Sequence, residues 1–486
     1  MTGTSAATDY AMFVDGKWRP ARSGETATST SPATGETLGT VPQGDRGDAE
    51  QAIAAASRAF EGWSRLTAFD RAEKMHAVGD AIERRSHEMA RTLTLDQGKP
   101  LKAEAYDEVS ELVEYWRMAA EDAKRLGGDL PNSMSLGKRV LLVRRARGPV
   151  GVITPWNWPY TMPAELLAPA LAAGNTVVWT PAPTTAVSAV ALAECVAEAD
   201  LPPGVFNLVS GPGAVVGDEI ARNPGTRAVA FIGSTGTGRS VAAAAAGKAV
   251  IIEMGGNGPV VVMDDADLDA AVEATLTACF LCAGQSCTAG ERILVHEAVS
   301  GEYVDRLARR VTETVLLGDP FDGFTTMGPV NNEGVATKMD QHVADAVERG
   351  AEVMAGGERA TGFPTDLYWR PTVLSGVPAD ARVAVEETFG PVAPVVSIGS
   401  LEEAIEQTNA SPYGLLSAIF TRDLAQGLRF ADGVHTGWVN INESSNYWEA
   451  HLPFGGRAGT DSGLGRVGGT QVMESFTELQ TVTLTT

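Results

Sequence analysis

The spacing of hydrophobic positions changes near residue 150, and this change divides the chain into two kinds of structure. Between about residues 48 and 125, apolar residues recur at helical intervals, as Ile53, Ala56, Phe60 and Trp63 do. Glycine and proline, which interrupt helices, are few in this segment. The pattern predicts a layer of helices in the first part of the chain.

From Val150 onward, short apolar runs alternate with stretches able to form helices. The first five runs are VGVIT, NTVVW, VFNLV, AVAFI and AVIIEM. A second alternation begins near Pro259 with PVVVM, a helix from Leu268 to Cys282, the run RILVH, and a helix from Glu302 to Leu317. This alternation is typical of doubly wound parallel sheets, so we expect an α/β fold with two such units.

Two further apolar runs stand apart from this alternation. One is RVLLVRRA at 139–146, between two glycines, and the other is the C-terminal TVTLTT. Both have the composition of strands but no neighbouring strand in sequence. Because an unpaired strand edge favours association, we expect these strands to be covered by oligomerisation.

Composition and charge restrict the possible partners. The chain has 486 residues, 44% of them hydrophobic and 20% charged, as is usual for folded globular proteins. It has 38 basic and 61 acidic residues, a net charge of −23, which would repel a phosphate backbone or an anionic membrane. No apolar run approaches the roughly 18 to 20 residues that span a bilayer. We therefore expect neither nucleic acid nor membrane as a partner.

The four cysteines predict a reducing compartment. They are too few for a disulfide scaffold, they form no paired clusters of zinc ligands, and no HExxH-like arrangement accompanies them. The N-terminal sequence lacks a basic segment followed by an apolar one, so no secretion signal is expected. These observations predict a cytoplasmic protein without a metal site.

Three polar residues follow apolar runs at places where chemistry is possible. Cys287 in GQSCTAG could be a nucleophile, although most free cysteines are inert packing groups. Glu253 ends a strand before two glycines, where burial could raise its pKa towards that of a general base; a solvated strand end is the alternative. Asn157 in ITPWNWP could donate to an oxyanion or merely cap the next helix.

Two glycine-rich turns are candidate phosphate-binding sites. FIGSTGTGRS follows a predicted strand and opens a helix, so its backbone N–H groups could receive a pyrophosphate. Its glycines, Gly233, Gly236 and Gly238, do not have GxGxxG spacing. For SGPGAVVG at 210–217 a plain structural turn is favoured.

Seven motifs in this order resemble the aldehyde dehydrogenase superfamily over essentially the whole chain: ITPWNWP, GNTVVWTPAP, FIGSTGTG, EMGGNGP, GQSCTAG, EETFGPV and LPFGGRAGTDSGLGR. The resemblance implies a Rossmann-like dinucleotide-binding domain at 1–122 and 146–255 and an α/β catalytic domain at 256–455. It also implies a small β oligomerisation extension at 123–145 with the tail 456–486. The family pairs such strands between subunits, so a homodimer or homotetramer is expected.

The resemblance also implies a reaction, the oxidation of a small aldehyde to its carboxylic acid with NAD(P)+. Cys287 would attack the carbonyl as thiolate, while Asn157 and the Cys287 backbone N–H hold the oxyanion. The thiohemiacetal would collapse to a thioester by loss of hydride. Glu253 would then activate the water that hydrolyses the thioester.

The residues that the resemblance assigns to the cofactor are Thr154, Pro155, Trp156, Thr180, Pro181, Ala182, Pro183, Gly213, Gly217, Gly233, Ser234, Gly238, Met254, Glu387 and Phe389. Glu387 matches the residue that holds the nicotinamide ribose. The family's Lys-Pro-Ser-Glu, which contacts the adenosine ribose, is replaced here at 180–183. This loss removes both a charge that repels and a charge that attracts a 2′-phosphate, so NAD is the default expectation and NADP stays open.

The aldehyde tunnel is expected, by position, to be lined by Trp158, Met162, Glu165, Tyr447, Trp448 and Phe454. Glu165 stands where many relatives have a bulky aromatic, which would favour a polar or cationic aldehyde, whereas Tyr447 and Trp448 would favour an aromatic one. The alternative is that several of these side chains simply pack.

Two other functions stay open. A CoA-acylating aldehyde dehydrogenase passes the thioester to CoA, and such relatives commonly lack the base that Glu253 would supply. A non-catalytic binding protein that retains the fold is the second alternative, which the altered sequence at 180–183 keeps open.

Overall fold

The structure, a computed structural model, describes residues 8–485, and its helices and strands follow the predicted division of the chain. The α-helices are α1 (Arg46–Ser64), α2 (Ala68–Arg84), α3 (Ser86–Gln97), α4 (Tyr106–Arg125), α5 (Thr161–Ala172), α6 (Ala186–Glu198), α7 (Asp218–Arg222), α8 (Thr235–Ala244), α9 (Leu268–Phe280), α10 (Glu297–Thr314), α11 (Glu333–Glu348), α12 (Arg382–Val385), α13 (Leu401–Asn409), α14 (Leu424–Gly433) and α15 (Gly469–Ser475).

The strands form four sheets. They are β1 (Thr8–Asp9), β2 (Met12–Val14), β3 (Lys17–Arg19), β4 (Thr26–Thr30), β5 (Thr37–Pro42), β6 (Lys138–Ala146), β7 (Pro149–Ile153), β8 (Thr176–Thr180), β9 (Phe206–Leu208), β10 (Ala228–Ile232), β11 (Ala249–Glu253), β12 (Gly258–Val262), β13 (Gly290–His296), β14 (Glu352–Ala355), β15 (Thr372–Ser375), β16 (Val392–Ile398), β17 (Leu416–Phe420), β18 (Trp438–Ile441), β19 (Gly463–Leu464) and β20 (Thr477–Thr485).

The predicted helical layer is present as α1 to α4. Helix α1 begins at a capping box, in which the Asp45 carboxylate accepts the Asp48 N–H and the Asp48 carboxylate accepts the Asp45 N–H. The layer is interrupted after α3, where Gly98 takes a left-handed φ of 102° and Pro100 precedes a π-helical turn at Leu101–Ala105. One continuous pattern in the sequence therefore contains four separate helices.

The first sheet has the strand order β19-β11-β10-β7-β8-β9-β2-β3. Its five central strands are parallel and correspond to the five predicted runs. All residues of β7, β8 and β10 are buried, because helices cover both faces. The antiparallel edges come from the N-terminal segment, as β2 and β3, and from β19 near the C-terminus.

The second sheet has the order β14-β15-β16-β13-β12-β17-β18 and is parallel except at β14. It confirms the second α/β unit. The helix predicted to end at Cys282 ends at Phe280, because Cys282 and Ala283 take left-handed φ values of 54° and 52° in a 3-10 turn. The helix predicted at 302–317 begins earlier, at Glu297, directly after β13.

The two isolated strands have no partner nearby in sequence, as expected, but each has a partner far along the chain. Strands β6 and β20 pair with each other in antiparallel register from Lys138↔Thr485 to Ala146↔Thr477. The sequence separates them by more than 300 residues, so no local pattern could show the pairing. They form a two-stranded ribbon, and on the outer edge of β6 Leu142 exchanges backbone hydrogen bonds with Asp129.

The domain bounds inferred from the resemblance stay a proposal. The N-terminal residues 1–7 and residue 486 of those ranges lie outside the described part, as does the start of the segment in which no secretion signal was expected. Strand β19 belongs by sequence to the inferred tail, but it pairs with β11 of the first sheet. Within residues 8–485, no helix is long and apolar enough to cross a membrane.

Candidate active site

Two cavities meet at Cys287, between the two sheets. The first has a volume of about 170 Å³ and is lined by Pro155, Trp156, Asn157, Met162, Ile232, Gly233, Ser234, Glu253, Met254, Gly255, Cys287, Val335, Lys338, Glu387 and Phe389. The second is lined by Trp158, Met162, Glu165, Glu253, Leu281, Ser286, Cys287, Thr288, Asn446, Trp448, Phe454 and Val467. Met162, Glu253 and Cys287 line both cavities.

The loop that carries Cys287 is fixed from the side of the second sheet. Thr288 donates its hydroxyl to Asn446 Oδ1 at 2.5 Å, and Ser445 donates to the Thr288 carbonyl at 2.8 Å. The Asn446 amide in turn donates to carbonyls at the end of α9. Our sequence reasoning missed Ser445 and Asn446, because nothing local to SSNYW shows that this loop packs against Cys287.

Glu253 lies at the end of β11, as expected, and only 3% of it is exposed. Its Oε1 atom has no hydrogen-bond partner among the described residues, so it is available to a water or a thiol. Burial raises the pKa of Glu253 well above its ordinary value, and the neighbouring Cys287 thiol opposes this shift only in part. The environment is that of a general base rather than a solvated strand end.

The same burial acts on the thiol. Desolvation is the largest cause that raises the pKa of Cys287 well above its ordinary value, and the charge of Glu253 adds to it. The two groups are adjacent: the thiol stabilises the ionised Glu253 carboxylate through a hydrogen bond, whereas the carboxylate disfavours ionisation of the thiol. The protonation states of Cys287 and Glu253 are therefore coupled.

Asn157 contacts the Cys287 loop instead of capping a helix. Its Nδ2 donates to the Gln285 carbonyl at 3.0 Å, and the side chain is buried. Helix α5 begins four residues later, and the Glu108 carboxylate on α4 accepts hydrogen bonds from its first N–H groups. The alternative that Asn157 is a helix cap was wrong, because another residue supplies the cap. The second N–H of its amide faces no assigned acceptor.

Gly255 and Gly256 allow the backbone after Glu253 to approach two other segments closely. A Cβ on Gly256 would lie 2.3 Å from the Cys287 carbonyl oxygen, and one on Gly255 would lie 2.5 Å from Glu387 Oε1. The Gly256 N–H donates to the same Glu387 oxygen at 3.0 Å. These two glycines are needed because side chains would separate the segments that carry Glu253, Cys287 and Glu387.

The segment with Glu387 and Phe389 is held by a carboxylate that our sequence reasoning missed. Buried Glu291 accepts the N–H groups of Thr388 at 2.5 Å and Phe389 at 2.6 Å. Phe389 takes a left-handed φ of 58° and packs edge-on to Trp156 at a centroid distance of 5.6 Å. The sequence alone gave no signal for Glu291, which stands inside an apolar strand.

Of the residues assigned to the cofactor, seven line the first cavity: Pro155, Trp156, Gly233, Ser234, Met254, Glu387 and Phe389. Lys338, which we had not singled out, lines it as well and donates to the Glu387 carbonyl at 3.1 Å. The cavity thus combines two carboxylates, one ammonium group and two aromatic rings.

The remaining cofactor candidates do not line this cavity. The run Thr180, Pro181, Ala182, Pro183 begins at the last residue of β8. A Cβ on Gly217 would lie 3.8 Å from the Thr180 methyl group, so this run and the turn that contains Gly217 are neighbours. The turn at Gly213–Gly217 is a π-helical one. Two assigned residues have packing roles: Thr154 accepts the Trp179 N–H at 2.8 Å, and a Cβ on Gly238 would meet Met254 at 2.5 Å.

The start of α8 fits a phosphate group. Ser234 is the N-cap residue, and its hydroxyl contacts Thr237 instead of capping the helix. Gly233 and Ser234 also line the first cavity, so the first turn of α8 presents N–H groups there. This helix start, the cavity and the carboxylate of Glu387 are together suited to a nicotinamide dinucleotide.

Of the residues assigned to the aldehyde, five line the second cavity: Trp158, Met162, Glu165, Trp448 and Phe454. Tyr447 does not, and its assignment needs correction. Its side chain points away from the cavity, is 46% exposed and hydrogen bonds to Glu449. Tyr447 and Trp448 are adjacent in sequence, and position alone cannot show which of them lines the cavity when the loop around them is irregular.

The other cysteines lie away from both cavities. Cys195, Cys279 and Cys282 are buried, and burial raises the pKa of Cys195 to about 12. Cys282 contacts the Asn157 carbonyl at 3.5 Å from behind the site. Within residues 8–485, no group of three or more His, Cys, Asp and Glu side chains is arranged to hold a metal ion.

Comparison with known proteins identifies the family. Residues 18–482 match the aldehyde dehydrogenase family. The chain is 39% identical over 475 residues to a 3-sulfolactaldehyde dehydrogenase of Pseudomonas putida, covering 97% of this chain and 96% of that protein. It is also 39% identical over 473 residues to the NADP(+) succinate-semialdehyde dehydrogenase of Escherichia coli (strain K12), covering 96% of each chain.

A solved structure agrees with both sequence matches. The NAD-dependent aldehyde dehydrogenase of Sinorhizobium meliloti superposes with a TM-score of 0.95 at 35% identity, covering 98% of this chain and 95% of that one. The chain therefore belongs to the aldehyde dehydrogenase family, and it is an NAD(P)-dependent enzyme that oxidises an aldehyde to the carboxylic acid.

Proposed function

We propose that Cys287 is the nucleophile and Glu253 the base of this oxidation. The observation that carries the proposal is that both side chains line both cavities, so an aldehyde on one side and a cofactor on the other would meet at the Cys287 sulfur. Cys287 is also half-buried, whereas the other three cysteines are buried.

In the first step, Sγ of Cys287 forms a bond to the aldehyde carbon, and its proton passes to the adjacent Glu253 carboxylate. The carbonyl oxygen takes the negative charge. Asn157 uses one amide N–H for the Gln285 carbonyl, which leaves the other, with the Cys287 backbone N–H, to stabilise this oxyanion. The product of the step is a thiohemiacetal.

The chemistry that NAD(P)+ supplies when bound is acceptance of a hydride from the carbon attached to sulfur. The residues that would hold it are those that line the first cavity, with Glu387 at the nicotinamide ribose, Lys338 beside it and the start of α8 at the pyrophosphate. NAD is the expected cofactor, and NADP is the alternative, since the run at 180–183 has neither an acidic nor a basic side chain.

Glu253 then acts a second time, after its first proton has left through solvent. Its free Oε1 takes a proton from water while the water oxygen attacks the thioester carbon, and the carbon–sulfur bond breaks. The carboxylic acid leaves and the Cys287 thiol is restored. Each turnover consumes one water and one NAD(P)+ and releases one acid, one NAD(P)H and one proton.

Two substitutions test this division of roles. Cys287→Ser should abolish NAD(P)H formation. Glu253→Gln should still give an initial burst, because the thiol can lose its proton to water instead, but later turnover should be slow, because the water that hydrolyses the thioester then has no base. Stopped-flow absorbance of NAD(P)H without CoA measures both phases. Equal loss of the burst in both variants would contradict the assignment, and turnover that requires CoA would favour the acylating alternative.

The site does not support carrying over the substrates that name the two bacterial relatives. Sulfolactaldehyde and succinate semialdehyde both bear an anionic group. The described residues that line the second cavity include no Lys, Arg or His to receive such a group. We therefore propose an aldehyde without an anionic substituent.

Assembly and location belong to the same proposal. The exposed leucines of the ribbon, Leu479 and Leu484, support a homodimer or homotetramer, as does the outer edge of β20, which has no partner strand within residues 8–485. The four unpaired cysteines support a reducing, cytoplasmic location.

A further inference from the structure

One acidic residue of the second cavity has no part in the chemistry described above. Glu165 lies in α5, is 2% exposed, and lines the cavity together with Cys287. Its Oε1 accepts a hydrogen bond from the Tyr115 hydroxyl at 2.5 Å. Among residues 8–485 no basic residue forms an ion pair with it, so a buried carboxyl group faces the cavity with one neutral partner.

The surroundings of Glu165 are acidic on every side. In the second cavity the charged residues are Glu165 and Glu253, both carboxylates. Glu165 also lines a neighbouring cavity together with Tyr115, Asp122 and His451, and it therefore lies in the wall between the two. Partly exposed Glu111 on α4 is close enough to raise the pKa of Glu165 further.

The nearest buried cation does not compensate this charge. Lys99 lies behind Trp158, with its Nζ 3.2 Å from the centre of the ring, and it is 2.5 Å from Glu108 Oε2. Lys99 and Glu108 are both buried, so they neutralise each other. Lys99 lines neither the cavity with Cys287 nor the one beyond Glu165.

Aromatic rings complete the wall around Glu165. The Trp448 ring lies 6.0 Å from Phe454 and 6.3 Å from Tyr115 between centroids. Faces of aromatic rings attract cations, and a carboxylate beside them attracts a cation more strongly. An anion placed here would be desolvated next to two carboxyl groups without a partner, which is strongly unfavourable.

The narrowness of the cavity limits the shape of the substrate. Its free volume is about 20 Å³, little more than one water molecule occupies. A slender chain with a primary ammonium group fits such a passage better than a branched or trimethylated group. The charge of Glu165 and the width of the cavity together select among aldehydes that could all undergo the same oxidation.

We propose that the preferred substrates are short, unbranched aldehydes with a terminal ammonium group, which Glu165 binds while the carbonyl meets Cys287. The inference rests on the proposed function, since it names the substrate class of that site. Glu165 is thus a residue that determines specificity, and Trp448 and Phe454 form the aromatic part of the same subsite.

The protonation of Glu165 gives the proposal a pH signature. Burial is the main cause that raises its pKa to about 8, with Glu111 adding to the effect and the Tyr115 hydrogen bond opposing it. Below pH 8 the carboxyl group is mostly neutral, so an ammonium ligand must displace its proton. The other titratable groups that face it are Glu253, Cys287, Asp122 and His451.

The experiment compares three probes of similar length: 3-aminopropanal, butanal and succinate semialdehyde. Steady-state NAD(P)H formation should rank 3-aminopropanal first in kcat/KM and succinate semialdehyde last. In Glu165→Gln, kcat/KM for 3-aminopropanal should fall at least about tenfold through KM, while that for butanal changes less than about threefold. Glu114→Gln, an exposed carboxylate on α4, is the matched control and should leave the ranking unchanged.

A second measurement does not depend on the folding of a variant. In the unaltered enzyme, propylamine should compete with butanal, and butyrate should compete far more weakly. The KM for 3-aminopropanal should decrease from pH 6.5 to 8.5, and this dependence should be absent in Glu165→Gln.

The outcomes separate the two proposals. Two results would overturn the inference about Glu165: succinate semialdehyde ranked first, or an equal loss of kcat/KM for all three probes in Glu165→Gln. If the oxidation of butanal still requires Cys287, the proposed chemistry stands. Oxidation that persists in Cys287→Ser, or no oxidation of any probe, overturns both.

Discussion

Burial controls the two ionisable side chains that meet between the cavities. Removal from water raises the pKa of both Glu253 and Cys287, and their mutual repulsion prevents both from being ionised together. The same environment that makes Glu253 a stronger base also makes the Cys287 thiol reluctant to ionise. We propose that the carboxylate beside the thiol assists the loss of its proton.

This coupling predicts the pH dependence of turnover. Because Glu253 must be ionised to accept a proton, and because its folded-state pKa is raised, kcat should increase with pH through the neutral range and level off above that pKa. Below it the slope should be about tenfold per pH unit. Steady-state rates with butanal from pH 6 to 9 measure this increase of kcat with pH. If the same increase persists in Glu253→Gln, the group that titrates is not Glu253.

Close backbone approach makes a second prediction at this scale. Gly256→Ala would place a methyl group 2.3 Å from the Cys287 carbonyl oxygen, so the loop must move by an ångström or so. We expect kcat/KM to fall about 100-fold while the protein stays folded. Gly62→Ala, in exposed α1 with no heavy atom within 4 Å, is the control and should leave both activity and thermal stability unaffected. Normal activity of Gly256→Ala would show that the loop yields freely.

At the scale of elements, one carboxylate connects three segments of the helical layer. Glu108 on α4 accepts the N–H groups of Tyr160 and Thr161 at the start of α5, and it pairs with Lys99 before the π-helical turn. Helix α5 carries Met162 and Glu165 into the cavities. The position of these two side chains therefore depends on a residue of another helix, earlier in the chain.

Removal of this carboxylate should be costly. Glu108→Ala leaves Lys99 buried without its counter-charge and the first N–H groups of α5 without an acceptor, so we expect a loss of about 3 to 5 kcal/mol in the free energy of unfolding. Thermal denaturation followed by circular dichroism measures the change. Glu114→Ala, exposed on the same helix, should shift stability by no more than about 0.5 kcal/mol. Equal shifts in the two variants would argue against a special role for Glu108.

At the scale of the whole molecule, the ribbon of β6 and β20 ties the C-terminus to the middle of the chain. The apolar residues Leu130, Met134 and Leu136, which precede β6, are exposed, as are Leu479 and Leu484 in β20. A surface of this kind is unusual for a monomer and is expected to be covered by a second subunit. Within residues 8–485, the outer edge of β20 in this ribbon has no partner strand and is available for that contact.

Deletion of residues 477–486 should therefore convert the oligomer into monomers. The deletion removes β20, exposes the inner edge of β6 and takes away two of the exposed leucines. Light scattering after size-exclusion chromatography gives the mass directly. The double substitution Leu479→Gln and Leu484→Gln, which keeps the β6–β20 pairing, is a milder companion variant. An unchanged mass for the deletion would exclude the ribbon as the interface.

The sequence by itself determined the local features of this protein. The five parallel strands of the first sheet, the helical layer and the second α/β unit follow from apolar periodicity, because strands buried on both faces need continuous apolar runs. Glu253 and Asn157 could be selected because each follows an apolar strand run, and Cys287 because it follows a predicted helix at a break that contains Gly284. The resemblance to the aldehyde dehydrogenases was confirmed across residues 18–482.

Only the tertiary structure decided what depends on contacts between distant segments. The pairing of β6 with β20, the Glu108 cap of α5 and the contacts from Asn446 to the Cys287 loop join residues tens to hundreds of positions apart. The neutral hydrogen bond and acidic surroundings that give Glu165 its meaning likewise come from other elements. Sequence spacing specifies which residues can form an element, but burial and charge at a site are properties of the neighbours that folding brings to it.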